Sequence, residues 1–135
     1  MNDHHDPTAG NIAVIRGSVR TEPTMRELPS GGVVVQFDVT TTVTATAAAT
    51  ESGERQLNVS VPIAWNDPTP TQLGVLAAGA EVLIVGTVRR RFFRVAGATQ
   101  SRTEVNAEAV VPTRQRKRVA RALREAADRV LDVAA

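Results

Sequence analysis

A mainly β fold is predicted by three observations. Residues 33–41 point Val33, Val35, Phe37 and Val39 one way and Gln36, Asp38 and Thr40 the other, and residues 55–65 alternate again. Glycine and proline clusters separate the alternating runs. Only the last twenty or so residues lose this period of two and take up a helical one. Strict alternation marks strands with one wet face, because successive side chains on a strand point to opposite sides.

The elements follow in order. Residues 1–10 (MNDHHDPTAG) have no apolar period and read as a disordered terminus; His4 and His5 sit in it as neighbours without further ligands. NIAVIRGSV opens a first strand, with Ile12 and Val14 sharing a face. In TEPTMRELPSGG, Pro23, Pro29 and the pair Gly31-Gly32 predict a connection without regular structure. Val33, Val35, Phe37 and Val39 then form one face of a second strand, which the β-branched run 40–46 extends. AAATESGE reads as a hairpin tip. The third strand carries Leu57, Val59, Val61, Ile63 and Trp65 on one face, and Pro62 on the other demands an edge or a bulge.

A short helix is expected next, capped by Asp67 or Thr69, with Leu73 and Leu76 inward and Gly79 as the stop. EVLIVGTVRRRFFRV is a long fourth strand in which Gly86 marks a bulge. After a loop, AGATQS, a fifth strand places Val105, Ala107, Ala109 and Val111 on one side, and Pro112 ends it. Five long strands with one short helix between the third and fourth have the order of an OB-fold, a partly open barrel that binds oligonucleotides or oligosaccharides. Residues 11–112 make this domain. Residues 113–135 are a basic amphipathic helix, with Val119, Leu123, Ala126, Val130 and Val133 as its apolar stripe.

Charge and composition narrow the function. Sixteen basic and fourteen acidic residues leave +2. The distribution is uneven: nine basic minus eleven acidic gives −2 over residues 1–112, and seven minus three gives +4 over 113–135. Fifteen of the sixteen cations are arginine. With no cysteine there is no disulfide or thiolate metal site, and no cofactor or metal is expected. The body holds no histidine, and no glycine-rich phosphate loop occurs, so an enzyme is not expected. No run is long enough to span a bilayer, and a cytoplasmic protein is the expectation. The remaining signal is GTVRRRFFRV, where Arg89, Arg90, Arg91 and Arg94 flank Phe92 and Phe93. Guanidinium groups beside aromatic rings suit a polyanion with stackable bases. A charged strand edge is the plain alternative.

These residues also resemble a family, the bacterial single-stranded DNA-binding proteins (SSB). In NIAVIRGSVRTEPTMRELPSGGVVVQFDVTT, Asn11, Gly17, Pro23, Arg26, Pro29, Gly31 and Phe37 keep the family's register without a gap. VPIAW resembles the end of its third strand. In LAAGAEVLIVGTVRRRFF, Gly79, Val82, Gly86 and Arg91 stay in step, and Thr103, Glu104 and Val105 match the start of its last strand. The resemblance spans about residues 11–111.

The resemblance implies homotetramers of OB-folds that bind single-stranded DNA without sequence preference in replication, recombination and repair. It places stacking rings at Trp65 and Phe93. A third family tryptophan falls on Val59, and a fourth falls within Thr41–Thr46, where no aromatic stands. Phosphate contacts are expected from Arg89, Arg90, Arg91 and Arg94, with Arg55 and Arg102 as weaker additions. The family's acidic C-terminal tip is replaced here by the basic helix, for which packing on its own barrel, a neighbouring subunit or a protein partner is the expectation. The alternative function is an OB-fold oligomeric interaction protein with weakened or lost DNA binding that acts through this helix.

Overall fold

A computed structural model describes residues 10–46 and 54–134. The expected disordered terminus (residues 1–9 of it, with His4 and His5) and most of the expected hairpin tip lie outside the described residues. The strands are β1 (Ala13–Val19), β2 (Thr24–Glu27), β3 (Val33–Thr46), β4 (Glu54–Asn66), β5 (Glu81–Val95) and β6 (Ala98–Pro112); the helices are α1 (Pro70–Leu73) and α2 (Arg116–Ala134).

The sheet runs β1-β5-β6-β4-β3-β2 and closes through β1 on β3 at Ser18↔Thr40 and Val19↔Val39. Five strands therefore make the barrel, as the sequence predicts. β2 is an addition: the proline-flanked segment expected to be irregular pairs Thr24–Glu27 with Gln36–Val33 and occupies the edge of β3 that β1 has left. With β2 counted, the helix falls between β4 and β5. Pro62 sits where β4 has only β3 beside it, since the parallel pairing with β6 is confined to Ile63–Trp65.

Closure requires close backbone approach at two glycines. A Cβ on Gly17 would lie 2.4 Å from the Thr40 carbonyl oxygen, and one on Gly86 would lie 2.1 Å from that of Asn106. At Gly86 the β5–β6 register slips, because Val85 faces Ala109 while Gly86 faces Ala107. Glu108 is the extra residue, and this bulge corrects the expected last strand: Val105 and Ala107 point into the barrel, whereas Ala109 turns outward and Val110 takes the inward place. The β5–β6 loop is also tighter than expected. Ala96 and Gly97 alone make the turn, both with positive φ (51° and 83°), the geometry of a two-residue hairpin.

The core contains Val19, Val35, Phe37, Val39, Ile63, Trp65, Val82 and Ile84, and α1 contributes Leu76 from the residues that follow it. Thr69, not Asp67, caps α1: its hydroxyl accepts from the Gln72 N–H and the Gln72 side chain accepts from the Thr69 N–H. The Asp67 carboxylate instead accepts the Val33 N–H at 2.8 Å and ties β4's end to β3. Gly79 lies beyond the helix, in the turn before β5, with φ +84°.

Helix α2 packs Val119, Ala122 and Ala126 on Leu83, Val85 and Ala109, the outward side of β5 and β6. The expected stripe is thus rotated. Leu123 and Val130 are 41% and 43% exposed, and Ala122 stands in their place against the sheet.

The carboxylate of Glu81 joins β5 to both flanks of this layer. It accepts from Arg16 Nη2 at 2.9 Å and from the Thr113 hydroxyl at 2.8 Å. These bonds hold its pKa below the ordinary value of 4.5. A carboxylate depressed on folding adds stability above its unfolded pKa and loses it as pH falls through the folded one. Glu81→Gln is therefore expected to lower the urea midpoint at pH ~7 and to approach wild type at pH ~3. An equal deficit at both values would refute the role of the charge.

Candidate nucleic-acid interface

On β5, side chains of one parity point away from the barrel axis. Leu83 and Val85 of this set lie under α2. Farther along come Arg89, Arg91 and Phe93, paired across β6 with Glu104, Arg102 and Gln100. Gln36 and Ala64, directly opposite one another on β3 and β4, continue the same outer face. Arg89, Arg91, Phe93, Glu104, Gln36 and Ala64, together with Arg26 of β2, line a hollow of about 440 Å³. A second hollow of about 260 Å³ shares Arg91 and Glu104 and extends to Arg102, Asp38 and Glu22.

Glu104 organises the centre. It is 2% exposed, the only buried charged side chain among the described residues. Its Oε2 accepts from Arg89 Nε at 3.1 Å, and Arg89 Nη2 is equally close. Its Oε1 lies 3.5 Å from Arg91 Nε, an ionic contact outside hydrogen-bond geometry, so that N–H is buried without an acceptor. The Arg91 guanidinium is also 5.6 Å from the centre of the Phe93 ring, within cation–π reach. Arg102 is 3.9 Å from Asp38 and half exposed. Two carboxylates thus stand against three arginines, of which Arg89 and Arg102 stay about half exposed and Arg91 is more covered.

The expected site residues divide into three groups. Arg89, Arg91, Arg102 and Phe93 are brought together on one face. Arg90 and Arg94 have the opposite parity and are exposed; Arg94 donates to the Gly97 carbonyl at 3.2 Å. Phe92 shares that parity, is 67% exposed and still borders the first hollow at its rim. Arg55 is not part of the face. It pairs with Ala45 on the β3–β4 arm, eight residues along β4 from Ile63, or about 26 Å at a strand's rise.

Trp65 is the main correction. Its side chain is 5% exposed and belongs to the barrel core with Val35, Ile63 and Ala107. Its parity follows Leu57 through Ile63, and β6 covers it because Trp65 pairs with Ala107. An indole so enclosed has no face for a base.

Sequence reasoning passed over Arg26, Gln36 and Glu104 as parts of the site. Arg26 lies in a strand hidden by its flanking prolines. Glu104 had a signal: it alternates against the inward Val105 and so shares a face with Arg102.

The architecture has counterparts. The chain matches the model of the Single-strand binding protein family over residues 11–113. It belongs to that family. The SSB of Plasmodium falciparum in complex with single-stranded DNA superposes with a TM-score of 0.66 at 18% identity, covering 83% of this chain and 98% of that one. A deletion mutant of the single-stranded DNA-binding protein from Thermus aquaticus gives 0.61 at 20%, covering 76% of this chain and 49% of that one. A small single-stranded DNA-binding protein from Streptomyces coelicolor gives 0.55 at 21%, covering 75% and 92%. No curated protein matches the sequence. For this SSB-family chain, single-stranded DNA is the ligand class. Among the described residues no helix is long and apolar enough to cross a membrane.

Proposed function

We propose that this SSB-family chain binds single-stranded DNA without sequence specificity on the outer face of β3, β4, β6 and β5. Phosphates lie against Arg89, Arg91 and Arg102, with Arg26 at the edge of the same hollow. Bases stack on Phe93 and, at the rim, on Phe92. The observation that carries this reading is the Arg91 guanidinium poised over the Phe93 ring at 5.6 Å, beside two further arginines. A plate and a counter-charge stand side by side there, as an unpaired nucleotide requires. No bond is made or broken. The protein acts as a homo-oligomer, a tetramer, on nucleoid DNA during replication, recombination and repair.

With Val59 and the threonine run in place of aromatic residues, the binding leans on charge. Each phosphate neutralised on a single strand contributes about −0.7 to the slope of log K against log salt. Three or four contacts give a slope of about −2 to −3 for oligo-dT. Arg102→Gln should make that slope shallower by about 0.7 without shifting the melting temperature, because the side chain is half exposed. An affinity that does not change with salt would contradict the arrangement.

A further inference from the structure

Helix α2 carries two apolar stripes, and the barrel uses only one. Val119, Ala122 and Ala126 face the sheet. Residues 116, 120, 123, 127 and 130 recur at alternating intervals of four and three and form a second stripe beside the first. Ala120, Leu123, Ala127 and Val130 are its apolar members, and Leu131, 63% exposed, borders it. Through Ala120 and Leu123 the N-terminal half of this stripe borders a groove of about 570 Å³ beside β1, also lined by Leu83 and Val119 and rimmed by Arg16, Arg114 and Arg116.

Charge along the helix says what fits there. From 116 to 124 the helix bears five cations and no acid: Arg116, Lys117, Arg118, Arg121 and Arg124. From 125 onward it bears Glu125, Asp128 and Asp132, and its one cation, Arg129, is bonded to Glu108. This order opposes the helix dipole, which favours acids at the N-terminus and bases at the C-terminus. A reversed copy of the same helix brings its acidic half beside this basic one.

We infer that a second copy of this chain docks its α2 antiparallel along this second stripe, the end of the partner helix reaching the groove. Leu123 of one protomer meets the partner's Val130, and the reverse, about a two-fold axis near Ala127, whose small side chain lets the helices approach. Arg124 then lies beside the partner's Asp128. The inference rests on the homo-oligomer part of the proposed function and is independent of DNA binding.

The test is the mass of the full-length protein by light scattering after size exclusion. Wild type is expected as a dimer or a multiple of it. Leu123→Glu and Val130→Glu, both at exposed positions, should halve that mass while the circular dichroism melt stays cooperative. Arg124→Asp and Asp128→Arg should each weaken the assembly, and the double exchange should restore it. Wild-type mass in the glutamate variants would overturn the inference and leave the oligomer standing. A monomeric wild type would overturn both. Unchanged mass with reduced oligo-dT affinity would assign the groove to nucleic acid and likewise overturn the pairing.

Discussion

Trp65→Ala is expected to be the most damaging single substitution outside the glycines, lowering stability by about 3–5 kcal/mol through lost transfer energy and the cavity left behind. For a domain of this size that is a fall of about 10–20 °C in Tm. The ring lies where β4 meets both β3 and β6, at Val35↔Trp65 and Trp65↔Ala107, so neither neighbour can collapse into the space without breaking a ladder. Trp65→Phe supplies the discriminating comparison. It keeps most of the buried surface and should leave oligo-dT affinity unchanged, because the indole meets no base. Tryptophan fluorescence should likewise show no stacking quench when oligo-dT is added. A large affinity loss in Trp65→Phe with normal stability would put the ring back on the DNA surface.

Phe93→Ala should weaken oligo-dT binding by about 1–3 kcal/mol, a factor of roughly 5–150. The loss belongs at the upper end, for two reasons. The ring is half-buried and therefore already oriented, and it holds the Arg91 guanidinium above it. Removing it takes away a stacking plate and loosens a phosphate contact at once. Phe92→Ala, at the exposed rim, should lie at the lower end of the same range. The two substitutions separate what parity alone leaves open. A larger loss from Phe92 would mean that bases run along the rim and not through the hollow. Far-ultraviolet circular dichroism of both variants confirms that the β5–β6 hairpin is retained.

The arrangement around Glu104 explains why these effects should exceed those of any one arginine. The carboxylate is buried, hydrogen-bonded by Arg89 and in ionic contact with Arg91, so it lowers the net charge of the face while fixing where the charges stand. An ordered row loses less side-chain entropy on meeting a phosphate backbone than a free one does. A substitution at Arg89 leaves Arg91 to take up Glu104, whereas nothing replaces Phe93.

Much of the barrel was legible because strand alternation is local. Val35, Phe37 and Val39 had to share a face whatever lay around them, and that face is the core. Gly86 was legible as a bulge for the same reason: a glycine within a long β-branched run has little use unless backbones approach closely there. The C-terminal helix, observed over Arg116–Ala134, and the family were legible too. What alternation cannot state is which of the two faces water reaches, or for how long. Leu57, Val59 and Trp65 share one parity, yet Leu57 and Val59 are 47% and 38% exposed on an arm beyond the barrel while Trp65 is 5% exposed within it. The difference is made by β6, which meets β4 only at Ile63–Trp65. In the same way Glu108 inverts the parity of the strand end that follows, which turns Ala109 outward to receive α2. From the chain alone came the five barrel strands, most of their faces and the family. Barrel closure, a set of contacts between residues far apart in sequence, decided that the tryptophan is a core residue, that Phe93 and three arginines share a surface, and that Glu104 lies beneath them.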